Sequence, residues 1–153
     1  MSAAQVACAL KRAGFEHKTV EECIAKLRLE GYLDDRRFAE AWVASRTGAR
    51  ALGRNGLKKG LMRRGVDPRV AEECLQEMGL PDDTDLAREM AARWLELCIR
   101  ASGPQVIRDP ATARRLSQYL LRRGFSYEVS ARALAEVLGR EWEAGGPDAD
   151  LVT

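Results

Sequence analysis

Between Ser45 and Arg64 the chain carries seven cationic side chains and no acidic one: Arg46, Arg50, Arg54, Lys58, Lys59, Arg63 and Arg64. A block of one sign over twenty residues is an electrostatic footprint for phosphate or for an acidic protein face. Its bland alternative is a solvated face that binds nothing. A second cationic group, Arg114, Arg115, Arg122 and Arg123, follows later in the chain. Arginine suits such a role because its planar fork gives paired hydrogen bonds to carboxylate or phosphate. Residues 65–100 carry nine acidic against four basic groups, which suits orientation against a basic partner surface. Net charge is only +2, so the distribution rather than the total carries the signal.

Other chemistry is thin. The pairs Asp34-Asp35 and Asp82-Asp83 could suggest acid–base work. Both stand at the start of an apolar periodic segment, where capping explains them without catalysis. Cys8, Cys23, Cys74 and Cys98 are far apart and form no CxxC pair, so they are expected to be small buried hydrophobes. The one histidine, His17, reads as a solvated first-turn residue, and a zinc site needs closer ligands than these. No nucleophile–base–acid set or phosphate-binding loop is present, so no catalytic residue, cofactor or metal is expected.

The elements that must position the cations are helices. Every apolar periodicity is near 3.6, and helices are expected over about 2–13, 17–30, 34–47, 54–64, 68–78, 83–101, 110–123 and 127–138. A phrase repeats three times, Leu-x-x-x-Gly followed by an apolar residue: Leu10 to Phe15, Leu61 to Val66 and Leu120 to Phe125. Repetition means one supersecondary unit used several times, each copy burying its face on a neighbour. The third and sixth helices are also copies, since Asp34-Asp35 overlays Asp82-Asp83 and places Trp42 on Met90. The expectation is an all-α, elongated tandem array. Residues 1–31 form a helix pair without a leading helix, 32–80 and 81–139 form three-helix units, and 140–153 form an acidic flexible tail containing Trp142.

At helical spacing with aliphatic neighbours, Trp42 and Trp94 read as core rather than base-stacking platforms. Tyr32 and Phe38 are expected to fasten the third helix to the one before it. The fourth helix is the weakest, because Gly56 and Gly60 lie inside it and each interior glycine costs ~1 kcal/mol relative to alanine. No apolar run approaches the ~20 residues that span a bilayer. The N-terminus lacks a signal-peptide pattern. A cytoplasmic, soluble protein is expected.

The phrase Gly31-Tyr32-Leu33-Asp34-Asp35-Arg36-Arg37-Phe38-Ala39 leads to Ser45-Arg46, a glycine-containing basic linker and Leu61-x-x-x-Gly65-Val66. Together they closely resemble the RecX family of bacterial RecA regulators. Tyr119-Leu120-Leu121-Arg122-Arg123-Gly124-Phe125 resembles it too, and the likeness covers nearly all of residues 2–139. The resemblance implies a curved string of three-helix units that binds RecA and lies in the groove of the RecA–single-stranded-DNA filament. It also implies limited filament extension and restrained ATP hydrolysis, strand exchange and coprotease activity, without a catalytic centre. The eleven cations named above are the expected contact face. Single-stranded DNA is a possible second partner, no membrane is expected, and with no dimerisation segment a monomer is expected. The alternatives are a stand-alone helical DNA-binding module and a helix-turn-helix transcription factor, although no recognition helix stands out.

Overall fold

The three Leu-x-x-x-Gly phrases form the same backbone device. In the computed structural model, which describes residues 1–46 and 48–139, Phe15, Val66 and Phe125 donate their N–H to the carbonyls of Leu10, Leu61 and Leu120 at 3.2, 3.2 and 3.3 Å. Gly14, Gly65 and Gly124 donate to Lys11, Met62 and Leu121 at 3.1, 2.9 and 2.9 Å. These paired bonds are the Schellman closure of a helix, which needs a residue at positive φ. Gly65 meets that need at φ 78° and has a second reason to be glycine. The Ala4 methyl packs so closely over it that no side chain could be added.

Eight α-helices result among the described residues: α1 (Ala3–Arg12), α2 (His17–Leu29), α3 (Asp35–Ala44), α4 (Arg54–Met62), α5 (Pro68–Glu77), α6 (Asp83–Ser102), α7 (Pro110–Arg122) and α8 (Tyr127–Leu138). Short 3₁₀ turns at Gly48–Arg50 and Pro104–Arg108 were not expected from the sequence. Local capping explains most of the starts. Ser2 and Gln5 make a reciprocal capping box on α1. Asp34, Asp67, Asp82, Asp109 and Ser126 accept first-turn N–H groups of α3, α5, α6, α7 and α8. The N–H of Thr84 holds the Asp82 carboxyl below the usual range.

The chain divides into two compact units. Among the described residues, one comprises 1–50 and 54–80; the other comprises 51–53 and 81–139. In the first, the core holds Val20, Ala39, Val43, Leu57, Leu61, Val66, Ala71, Cys74 and Leu75. The start of α1 is fastened to α3 and to the α4–α5 turn. The Ser2 hydroxyl donates to the Arg64 carbonyl, and the Ala3 N–H donates to Asp35 Oδ1 at 2.8 Å. Asp35 also accepts from Arg28 at 3.0 Å, so this carboxylate ties three helices beyond its place in the first turn of α3.

In the second unit, α6 packs on α8, and α7 on α8 and α6. Their core contains Met90, Leu95, Leu116, Leu120, Phe125, Leu134 and Leu138, joined by Ala51. The Gly53 N–H donates to the Arg123 carbonyl at 3.0 Å, and Arg123 Nη1 donates to the Ala51 carbonyl at 3.3 Å. Three residues from the loop before α4 are therefore part of this unit.

Several expectations are corrected. Tyr32 is 76% exposed and fastens nothing; its N–H closes α2 by bonding the Leu27 carbonyl while its ring stands in solvent. Phe15 is 53% exposed, although its counterparts Val66 and Phe125 are buried. Cys74 is buried, and burial pushes its thiol up, whereas Cys23 and Cys98 are half-buried and Cys8 is exposed. Trp42 and Trp94 are half-buried rather than central. The tail 140–153, with Trp142, lies outside the described residues. No described helix is long and apolar enough to cross a membrane.

Candidate partner-binding site

Neither α4 nor α7 contains an acidic residue, and each buries a leucine stripe that leaves its cations to the side or outward. In α4, Leu57 and Leu61 face the core. Arg54 and Lys58, four residues apart, lie along one flank, where both reach the same carboxylate on α5. Glu72 accepts from Arg54 Nη2 at 3.2 Å and from Lys58 Nζ at 2.7 Å. The Lys58 hydrogen bond, then that of Arg54, holds the Glu72 carboxyl below its ordinary range.

Two more arginines gather on one ring. The Arg46 guanidinium lies 4.6 Å and that of Arg64 4.7 Å from the Trp42 ring centroid, within cation–π range. Arg64 also donates to the Gly60 carbonyl at 2.9 Å. The ring approaches the α4 backbone at Gly60 so closely that a side chain there would overlap it. Gly60 is thus the seat of an aromatic platform in addition to a weak point in the helix. The buried Trp42 indole N–H has no acceptor among the described residues, and the ring is held by contact and stacking.

In the second unit an arginine again lies over an aromatic ring. Arg123 sits 5.2 Å from the Tyr119 centroid, and Tyr119 stacks on Trp94 with centroids 6.3 Å apart. Arg115 reaches Asp109 at 3.6 Å and the Ala111 carbonyl at 3.3 Å.

The eleven cations therefore do not share one condition. Arg54 and Lys58 share the single carboxylate of Glu72, which offsets one of their two charges, Arg115 leans on Asp109, and Arg46, Arg64 and Arg123 are stacked. Arg50, Lys59 and Arg63 in the first unit, and Arg114 and Arg122 in the second, are exposed with no carboxylate partner among the described residues. Such side chains are free to meet an anionic partner without first breaking an ion pair. Sequence reasoning missed Glu72 as the shared carboxylate partner and Trp42 as the platform. It also missed the exposed apolar residues Met62 and Leu121, each directly before one of the free arginines. The repeated Met/Leu-Arg-Arg-Gly phrase was the available signal.

Among the described residues, no group of three or more His, Cys, Asp and Glu side chains could hold a metal. His17 pairs with Glu21 at 3.3 Å on the exposed first turn of α2.

Comparison with known proteins agrees with this architecture. A family model described as "RecX, second three-helix domain" matches residues 34–75, which span α3 to most of α5. The regulatory protein RecX of Amycolatopsis mediterranei (strain U-32) is 32% identical over 136 residues, covering 89% of this chain and 74% of that protein. The regulatory protein RecX of Thermobifida fusca (strain YX) is 32% identical over 148 residues, covering 97% and 75%. The crystal structure of RecX from Lactobacillus salivarius superposes with a TM-score of 0.66 at 22% identity, covering 89% of this chain and 84% of that one, and so shares the all-α repeat fold. Identity sustained over most of both sequences, on the same helical framework, shows that this chain belongs to the RecX family.

Proposed function

We propose that this protein is a non-enzymatic regulator that binds RecA and RecA–single-stranded-DNA filaments. It would inhibit filament extension and, with it, ATPase, strand exchange and coprotease activity. Family membership points to regulation. The observation that carries a binding role is the set of exposed cations, without a carboxylate partner among the described residues, on and beside the two acid-free helices α4 and α7. We read the chain as a helix pair, residues 1–31, followed by three-helix units 32–80 and 81–139. Tandem units suit a partner with repeating subunits, because each tethered unit meets its site at high effective concentration. The test is RecA ATPase turnover on single-stranded DNA. Turnover should fall with added protein, and unchanged turnover at excess protein would sink the proposal.

The same free cations favour a second reading, direct binding of single-stranded DNA. Four phosphate contacts would give a log–log salt slope of about −2.8, at ~0.7 per phosphate. A slope near zero, or no retardation of DNA at low salt, removes this reading.

A further inference from the structure

We infer that the last turns of α4 and α7 are two matching protein-docking elements. Each offers an exposed apolar side chain and a free arginine to a protein surface that sets a carboxylate beside an apolar recess. The elements are Met62-Arg63 and Leu121-Arg122. The inference rests on the reading of the chain as a RecA regulator and identifies the side chains that make the contact.

Met62 and Leu121 occupy the same position, three residues before the turn glycine, and their carbonyls accept the same glycine N–H at 2.9 Å. The identical closure directs both side chains out of the helix alike. They are 44% and 41% exposed, while the preceding residues, Leu61 and Leu120, are fully buried. The core is thus complete without them. A single exposed apolar residue needs no explanation. Two at the same repeat position, each followed by an arginine with no carboxylate partner among the described residues, form a pattern.

The residue after each free arginine is fixed. Arg64 lies over Trp42 and Arg123 over Tyr119, and each donates to a backbone carbonyl. The second arginine of each pair therefore stiffens the turn and leaves the first one outward. Pre-ordering lowers the cost of binding. The chemistry favours protein over nucleic acid. A phosphate would use the arginine and leave the apolar side chain beside it idle, whereas methionine and arginine are both enriched in protein interfaces. The first helix pair has Lys11 where Met62 and Leu121 stand, and so lacks the apolar half of the element.

The experiment uses the full chain and compares three proteins: wild type, Met62→Ser/Leu121→Ser and Arg63→Gln/Arg122→Gln. Affinity for RecA filaments and for bare oligo(dT) is measured by fluorescence anisotropy, and thermal unfolding is followed in parallel. The serine pair should lose roughly tenfold or more in filament affinity. It should keep its oligo(dT) affinity and its unfolding profile, because both sites are exposed. The glutamine pair should weaken filament binding at least as much. Met62→Leu alone should keep wild-type filament binding, because an apolar side chain remains at the site. Undiminished filament binding by the serine pair, with an active wild type, overturns the inference alone, as does an equal loss on oligo(dT). A wild type that binds no filament overturns the regulatory reading itself and the docking elements with it.

Discussion

Replacing Gly60 with alanine should reverse the usual sign of a helix substitution. Alanine in a helix interior is ordinarily favoured over glycine by about 1 kcal/mol. At Gly60 the new methyl would lie within 3.0 Å of Trp42 Cζ2 and closer still to Cη2, where ordinary carbon contacts are ~3.5–4.0 Å. The ring cannot swing away cheaply, since Arg46 and Arg64 are stacked against it. Overpacking of this kind costs about 1–3 kcal/mol, so Gly60→Ala should destabilise α4 by roughly 0–2 kcal/mol despite its better helix propensity. In a Trp42→Ala background the obstruction is gone, and the same change should stabilise by about 1 kcal/mol. The coupling between the two positions is then about 1–3 kcal/mol, readable in a double-mutant cycle. Native-state hydrogen exchange of the α4 amides is the suitable assay, because it reports local opening without treating a two-unit chain as two-state. If Gly60→Ala protects α4 equally in both backgrounds, the ring is not seated on Gly60 and the reasoning fails.

Glu72 gives a pH test. Its folded pKa lies below its unfolded value, so its stabilising contribution is present above about pH 4.3 and is lost as pH falls through the folded value. Glu72→Gln should flatten the pH dependence of the α4–α5 opening free energy read by amide exchange in that acid range, and an unchanged slope would rule out the pairing with Lys58 and Arg54. Asp35→Ala leaves the Ala3 N–H and Arg28 without their acceptor and should cost about 1–2 kcal/mol. That loss should appear as faster amide exchange in α1, and protection lost only in α3 would show that the carboxylate merely serves its own helix. Thiol titration of the native protein should modify Cys8 first and Cys74 only on unfolding. Comparable rates at both would contradict the burial of α5.

What the sequence made legible was local. The caps at Ser2, Asp34 and Asp82 and the turns at Gly14, Gly65 and Gly124 depend on residues within five positions of one another. Their chemistry could therefore be read directly, and eight helices followed. The contact face was legible only as a region. Counting charge located the cations but could not show that Glu72, 14 and 18 residues from Lys58 and Arg54, engages two of them. Nor could periodicity reveal the Trp42 platform, because the glycine that admits the ring belongs to a different helix. Gly60 looked like a defect when only its own helix was considered. Tyr32 was misread for a related reason. Its neighbours Asp34 and Phe38 are structural, and an aromatic beside them suggested packing that the exposed ring does not provide.

The placement of Ala51–Gly53 has a consequence for how the chain acquires its structure. These residues belong with α6–α8, and the Arg123–Ala51 hydrogen bond spans 72 positions. Closing so long a loop sacrifices chain entropy before any contact rewards it. At a translation rate of about 5–20 residues per second, the segment waits roughly 4–14 s after its own synthesis before its partners emerge. During that interval α4 and α5 can pair, since both lie wholly within the intervening stretch. The second unit can therefore be completed only after the first has had time to form, so the order of assembly is set by connectivity.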